Sequence, residues 1–346
     1  MAECPFCKEA LHGGMKPGQN RVLRACTACK NPYIVVREGA ALATHPIDTV
    51  QDVREMAPEG SIGGDLLAEL PEAMKRLPML PEVSQRVLSM VRDPEASMQD
   101  LANLIREDQV ISLAVMRLAN SPVYGGLSEI TELNTACARL GMKTIANTVQ
   151  AVANRNLFIT GDQRLRTFMQ QLWRHAIATA YCAEEVARIR AEPNTDLLFL
   201  GGLLHDVGKV ALLEIVTNAR SGALSALRDN PDLLREVLDG FHTLAGLHVV
   251  QAWGLPPEFH MLTFCHEDPA LCFDEGILDR VHIVALANVV AKAEGFTVYD
   301  QAEDTMLIGH PSTRHLNLGD VKLASLRVDL TDRLESIIQA LSQPAS

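Results

Sequence analysis

Four cysteines crowd the first 29 residues of a 346-residue chain, as Cys4-x2-Cys7 in "CPFC" and Cys26-x2-Cys29 in "CTAC". Each pair forms a turn that points two thiolates at one ion, and the 18 residues between the pairs suffice for a hairpin that returns the second pair to the first. Four soft thiolates suit tetrahedral Zn2+, and a full ligand set leaves no open position for catalysis, so the expected role is structural. Independent redox pairs are the rival reading, but neither pair follows a strand and precedes a convincing helix. A second constellation lies in "GLLHDVGK", residues 202–209. His205 beside Asp206 mixes an imidazole nitrogen with a hard carboxylate oxygen, a plausible start for a Mg2+, Mn2+ or Fe site. Two adjacent ligands do not complete one.

The flanks of the cysteine pairs, "RVLRAC" and "PYIVVREG", read as short strands, so residues 1–39 look like a zinc-ribbon-like module. A module this small has too little apolar core to support itself, and zinc would supply its folding energy. Lys8, Lys16, Arg21, Arg24, Lys30 and Arg37 give it a modest basic bias. A structural or protein-contact role fits that bias better than nucleic-acid binding. Pro46, Pro58, Gly60, Gly63 and Gly64 mark residues 40–70 as a linker with a short helix near its end.

The remainder reads as helices. Ser97 and Asp100 have capping-box spacing at the start of "SMQDLANLIRED". In "QVISLAVMRLANSP" the residues Val110, Leu113, Ala114 and Leu118 recur at helical spacing, and Pro122 favours termination. Further helices are expected at about 133–139, 142–154, 166–190 and 242–253. Strands do not alternate with helices, and there is no phosphate-binding glycine loop or GxSxG elbow. An all-α main body follows. The 47% hydrophobic and 21% charged content is that of a folded chain, and a net charge of −12 disfavours indiscriminate binding to nucleic acid or anionic lipid. The apolar runs are too short or too interrupted for membrane insertion, and a cytoplasmic location is expected.

The segments "LPMLPEVSQRVLSMVRDPEASMQDLANLIREDQVISLAVMRLANSP", "ACARLGMKTIANTV", "GLLHDVGK" and "HVVQAWGLP", in that order, resemble the HDOD domain, a helical signalling relative of HD-type phosphohydrolases. The resemblance implies an HDOD domain with an HD-like second lobe over residues 71–275, leaving 276–346 as a C-terminal helical extension that closes the body. It implies bacterial signal transduction, with a signalling protein or small signalling ligand as partner. It also implies a site: His175 in "LWRHAIATA" as the early metal histidine, His205 and Asp206 as the central pair, and Lys209 as the lysine that follows it. His242 in "GFHTLAG" matches the next histidine. "CHEDP" stands where paired histidines are usual, with Cys265 first and His266 second. Asn288 occupies the place of the last ligand, normally aspartate.

Asparagine offers a neutral carbonyl oxygen but no charge. A set of His175, His205, Asp206 and Asn288 carries one ligand charge, so a second divalent metal should bind weakly and its water should be harder to activate. Two functions follow. One is a non-catalytic signalling adaptor or output protein; the other is a weak metal-dependent phosphohydrolase acting on a phosphate ester or signalling nucleotide. Each site residue also has a purely structural reading: an inter-helical histidine at His175, helix-end bonding at His205 and Asp206, and a solvated helix lysine at Lys209. Asn120 and Ser121 before Pro122 form a helix-ending corner. An amphipathic C-terminal segment caps the body or pairs two copies as a homodimer.

If the four N-terminal cysteines hold one Zn2+, replacing all four by serine removes one equivalent of zinc from the purified protein. Hydrogen exchange then accelerates in residues 1–39 much more than in the helical body; unchanged zinc content contradicts the assignment.

Overall fold

The computed structural model describes three strand segments, by their backbone, and residues 62–342 other than 79–81, 94, 127, 273, 300–306 and 308, with Glu3 and Lys8 as isolated positions. Cys4, Cys7, Cys26 and Cys29, and with them the expected zinc site, lie outside the described residues. Strands β1 (Arg21–Ala25), β2 (Pro32–Glu38) and β3 (Ala41–Pro46) form an antiparallel sheet in sequential order, with Leu23 opposite Ile34 and Val35 opposite Thr44. The first two strands are those expected from the sequence. The third falls where composition suggests a linker: "ALATHP" has too few large apolar residues to stand out, and pairing with β2 supplies its backbone partners.

Fourteen α-helices follow among the described residues: α1 (Ile62–Arg76), α2 (Glu82–Arg92), α3 (Met98–Arg106), α4 (Gln109–Ala119), α5 (Leu133–Ala153), α6 (Gln163–Ile189), α7 (Thr195–Leu204), α8 (Val207–Asn218), α9 (Gly222–Ala226), α10 (Pro231–Ala252), α11 (Pro257–Cys265), α12 (Glu275–Ala293), α13 (Pro311–His315) and α14 (Asp320–Ser342). None is long and apolar enough to cross a membrane. The chain divides into two compact units. The first comprises Met1–Leu77, Asp162–Leu165 and His205–Ala285; the second comprises Pro78–Gly161, Arg166–Leu204 and Leu286–Ser346.

Local chemistry explains the boundaries of α3 and α4 in the second unit. Ser97 and Asp100 close the expected capping box at α3, satisfying a backbone N–H at each end of the motif. Asp108 caps α4 by accepting from Val110 and Ile111. At the end of α4 the Asn120 side chain donates to the Ile130 carbonyl and accepts from the Ile130 N–H, and Ser121 donates to Leu118, so the corner is held by side-chain bonds. The face of α4 differs from expectation. Ile111, Val115 and Leu118 are buried, whereas Val110 and Leu113 are 49% and 37% exposed, because the core lies one residue further round the helix. The two segments expected at 133–139 and 142–154 are the two arms of α5, which breaks at Gly141, whose non-helical φ of 76° and ψ of 158° suit a residue without Cβ.

In the first unit α10 begins at Pro231, well before the expected residue 242. Asn230 caps it by accepting from Leu233, and Pro231 occupies the first turn, where its missing N–H costs nothing. Helices α8 and α10 touch backbone to backbone. A Cβ built on Gly208 would stand 1.8 Å from the His242 carbonyl oxygen and 2.4 Å from the Gly246 nitrogen, and one on Gly246 would stand 2.6 Å from Thr263 Cγ2. Three helices, α8, α10 and α11, are thereby pressed together at two glycines.

Gly208→Ala should therefore destabilise the protein by about 3 kcal/mol, since a backbone carbonyl cannot yield as a flexible side chain would. Gly240, exposed on α10, the helix that Gly208 packs against, and with nothing near its Cβ position, is the control. Gly240→Ala should stabilise by about 0.5–1 kcal/mol. Chemical denaturation of both variants checks the contrast; equal effects would contradict the close approach.

Candidate functional site

The first unit brings five of the sequence-selected residues together. Asp206 sits at the N-terminal end of α8, with Lys209 one turn on; His205 precedes Asp206, His242 comes from α10, and His266 follows α11. All five are buried, none more than 2% exposed. The contact at Gly208 and Gly246 sets their spacing, because it fixes how near α10 and α11 come to the start of α8.

Hydrogen bonds determine which nitrogens face inward. Nδ1 of His242 lies 3.0 Å from the Leu238 carbonyl and 3.1 Å from that of Asp239. Nδ1 of His266 lies 2.8 Å from the Thr263 carbonyl. A carbonyl only accepts, so each Nδ1 carries the proton, and a neutral ring then presents a bare lone pair at Nε2. Both Nε2 atoms converge on Asp206 Oδ1, at 3.3 Å from His242 and 3.6 Å from His266, and they stand 3.3 Å from each other. Three acceptors facing one point repel one another unless a cation lies among them.

Asp206 uses its other oxygen differently. Oδ2 accepts from Lys209 Nζ at 2.9 Å and lies 3.5 Å from His205 Nε2. Lys209 is thus a buried ion-pair partner, not the solvated helix lysine that its sequence context suggests. The His205 ring meets that of His266 edge to face, with centroids 4.8 Å apart. Glu267, which the sequence reading passed over, places Oε1 3.5 Å from His266 Nε2 and 3.9 Å from that of His242. With 43% of its side chain exposed, it is where the cluster meets solvent. Its place beside His266 in "CHED" was the available signal.

The electrostatics follow from this layout. Burial raises the Asp206 pKa, but Lys209 and His205 outweigh it and hold the carboxyl well below its usual range. Burial, reinforced by the Lys209 charge, pushes His242 down to about 3. Burial also acts to lower His266, yet its bonds to Asp206 and Glu267 prevail and raise it to about 9. In the absence of a metal ion, Asp206 and Glu267 thus favour a protonated His266 ring beside the Lys209 ammonium. At Cys265, which stands first in "CHEDP", contact with Cys272 and burial push the thiol well above the ordinary cysteine value.

The donors also fit a metal ion. Ligand atoms at about 2.0–2.2 Å from a tetrahedral ion stand about 3.3–3.6 Å apart, and the three separations among Asp206, His242 and His266 have those lengths. Both rings are oriented by backbone carbonyls through the other nitrogen, as metal-binding histidines usually are. His175 and Asn288 belong to the second unit. His175 is buried on α6 and its Nδ1 donates to the Phe296 carbonyl at 2.7 Å; Asn288 is buried on α12.

Comparison with known proteins places this geometry in context. A solved HDOD domain protein of unknown function from Geobacter sulfurreducens is similar, with a TM-score of 0.61 and 24% identity, covering 80% of this chain and 98% of that one. A signal transduction protein, so described as a candidate, from Marinobacter aquaeolei VT8 matches with TM-score 0.56 and 19% identity over 88% of this chain and 71% of that one. A candidate metal-dependent phosphohydrolase from Shewanella amazonensis SB2B matches with TM-score 0.54 and 22% identity over 81% of this chain and 99% of that one. At these identities the likeness is one of fold. An uncharacterized protein of Treponema pallidum is 27% identical over 256 residues, 70% of this chain, which spans about half (47%) of that relative's length. The HDOD domain model matches residues 77–269, more than half of the chain, and the protein belongs to the HDOD domain family.

Proposed function

We propose that this HDOD protein is a bacterial signal-transduction adaptor or output protein that binds a signalling protein or small signalling ligand without hydrolysing it. The observation that carries this reading is the burial of the His–Asp cluster: His205, Asp206, Lys209, His242 and His266 are each at most 2% exposed. A phosphohydrolase must bring a phosphorus atom, an activated water and a leaving group to one point. Lys209 meanwhile occupies Asp206 Oδ2. In this reading the cluster is an internal fastening that ties α8, α10 and α11 together around a cation. The described signal-transduction role of the Marinobacter neighbour is in keeping with it.

The second reading is a weak metal-dependent phosphohydrolase. The separations among Asp206, His242 and His266 favour it, as does the name of the Shewanella neighbour. A divalent ion held by those three residues would supply charge stabilisation for a phosphate group, with Glu267 the carboxylate at the solvent edge of the cluster. His175, His205 and Asn288 belong to the same proposal through the family pattern. In either reading Cys4, Cys7, Cys26 and Cys29 hold a structural zinc ion in a cytoplasmic protein.

Release of p-nitrophenolate from bis(p-nitrophenyl) phosphate in Mn2+ or Mg2+ separates the two. The adaptor reading expects wild type and His242→Ala to stay alike at background. Release by wild type that disappears in His242→Ala would move the conclusion to the enzyme.

The fastening role has its own signature. Asp206→Asn should cost about 3–5 kcal/mol, because it takes the nearer carboxylate from the buried Lys209 ammonium and leaves the longer 3.8 Å contact with Asp239. Lys209→Met added to it should recover much of that loss. Urea denaturation of the two single variants and the double variant measures the coupling; additive losses would contradict the buried pair.

A further inference from the structure

The second unit contains a cavity of about 720 Å3 that the His–Asp cluster does not line. Its walls come from α4, the end of α5, the turn after it, the first half of α6 and the end of α14. That volume lies within the usual range for small-molecule sites. Two kinds of surface meet there. Ile111, Val152 and Phe158 are buried apolar residues, and Val110 and Ile159, at 49% and 66% exposure, extend the apolar wall to the rim. Opposite in character are Arg155, Arg166 and Arg174, three lining guanidinium groups in a chain whose net charge is −12.

Little in the cavity neutralises those charges. Arg155 donates to the backbone carbonyls of Leu341 and Ser342 and lies over the Trp173 ring, 5.4 Å from its centroid. Those partners position the guanidinium without carrying a formal negative charge. Arg174 pairs with Glu335 at 2.7 Å in a largely exposed contact, a kind of pair that holds charge weakly. Arg166 is exposed and makes no ion pair among the described residues. The one lining acid, Asp108, has a carboxylate oxygen engaged by the Val110 and Ile111 N–H groups.

Trp173 is an independent pointer. It lines the same cavity, is 4% exposed, and its indole Nε1–H has no acceptor among the described residues. A buried donor left unmatched is costly, and an indole can only donate. Arg155 and Arg166, with no carboxylate paired to them among the described residues, and the orphan indole N–H together suit an anionic acceptor.

We propose that this cavity binds a small phosphomonoester whose phosphate meets Arg155, Arg166 and Trp173 while an apolar ring lies against Phe158, Ile111 and Val110. A phosphate offers three acceptor oxygens and nearly two charges, which matches the donor set better than a carboxylate. The site is separate from the His–Asp cluster and does not depend on what that cluster holds.

The indole N–H is its own reporter. Trp173 and Trp253 are the only tryptophans in the chain, so Trp253→Phe identifies the Trp173 resonance in a 15N-labelled sample, and the second indole of wild type serves as an internal control. The wild-type protein is titrated with 1-naphthyl phosphate, with inorganic phosphate and with 1-naphthol. The expected result is a saturable downfield shift of the Trp173 indole proton with 1-naphthyl phosphate, at an affinity at least about tenfold above either fragment. Arg166→Gln, which removes an exposed side chain without an ion pair, should weaken that binding at least about fivefold and leave the thermal midpoint unchanged. The proposal is overturned by an indole resonance that does not move, by inorganic phosphate or 1-naphthol binding as tightly as the ester, or by unchanged affinity in Arg166→Gln.

Discussion

A carbonyl oxygen can accept a hydrogen bond but never donate one, and that restriction governs the centre of the first unit. The Leu238, Asp239 and Thr263 carbonyls take the Nδ1 protons of His242 and His266, so the helices that carry the rings also choose their tautomers. With Nδ1 committed, both Nε2 atoms and Asp206 Oδ1 face one another within 3.6 Å. The arrangement is stable only around positive charge. Asp206 and Glu267 favour the protonated form of His266 in the ion-free protein, and a divalent ion has the donors and spacing it needs. One device thus serves for packing and for coordination.

The cluster also depends on the missing side chains at Gly208 and Gly246. With a Cβ at either position, α8, α10 and α11 would have to separate, and the three ligand atoms would move apart with them. Lys209 supplies the remaining balance by meeting the second oxygen of Asp206. Removing either member of this buried pair takes away the other's nearest opposite charge, so their contributions to stability are coupled. These constraints act on stability first and reach function through the position of the helices.

Much of the helical body was legible in the sequence because its signals are local. The capping box at Ser97 and Asp100 needs only its own four residues, and it appears as expected. What failed to show were features set by tertiary contact. The exposed position of Val110 follows from which neighbours α4 packs against, and β3 follows from the edge that β2 offers. His205 and Asp206 were legible as a chemical pair. The burial of Lys209 was not, since nothing in "HDVGK" says that α10 will close over it. Glu267 was hidden beside a more conspicuous histidine. Arg155, Arg166, Trp173 and Arg174 have no motif spacing at all, and only the packing around α6 makes them one surface.

The tautomers of His242 and His266 test the account most directly. Long-range 1H–15N correlation spectra of the metal-free protein should show His242 neutral at pH 7, with its proton on Nδ1 and a bare Nε2, and His266 with Nδ1 protonated. A His242 ring protonated at Nε2 with Nδ1 bare would contradict the account, because the backbone carbonyls would then not be holding the lone pairs inward.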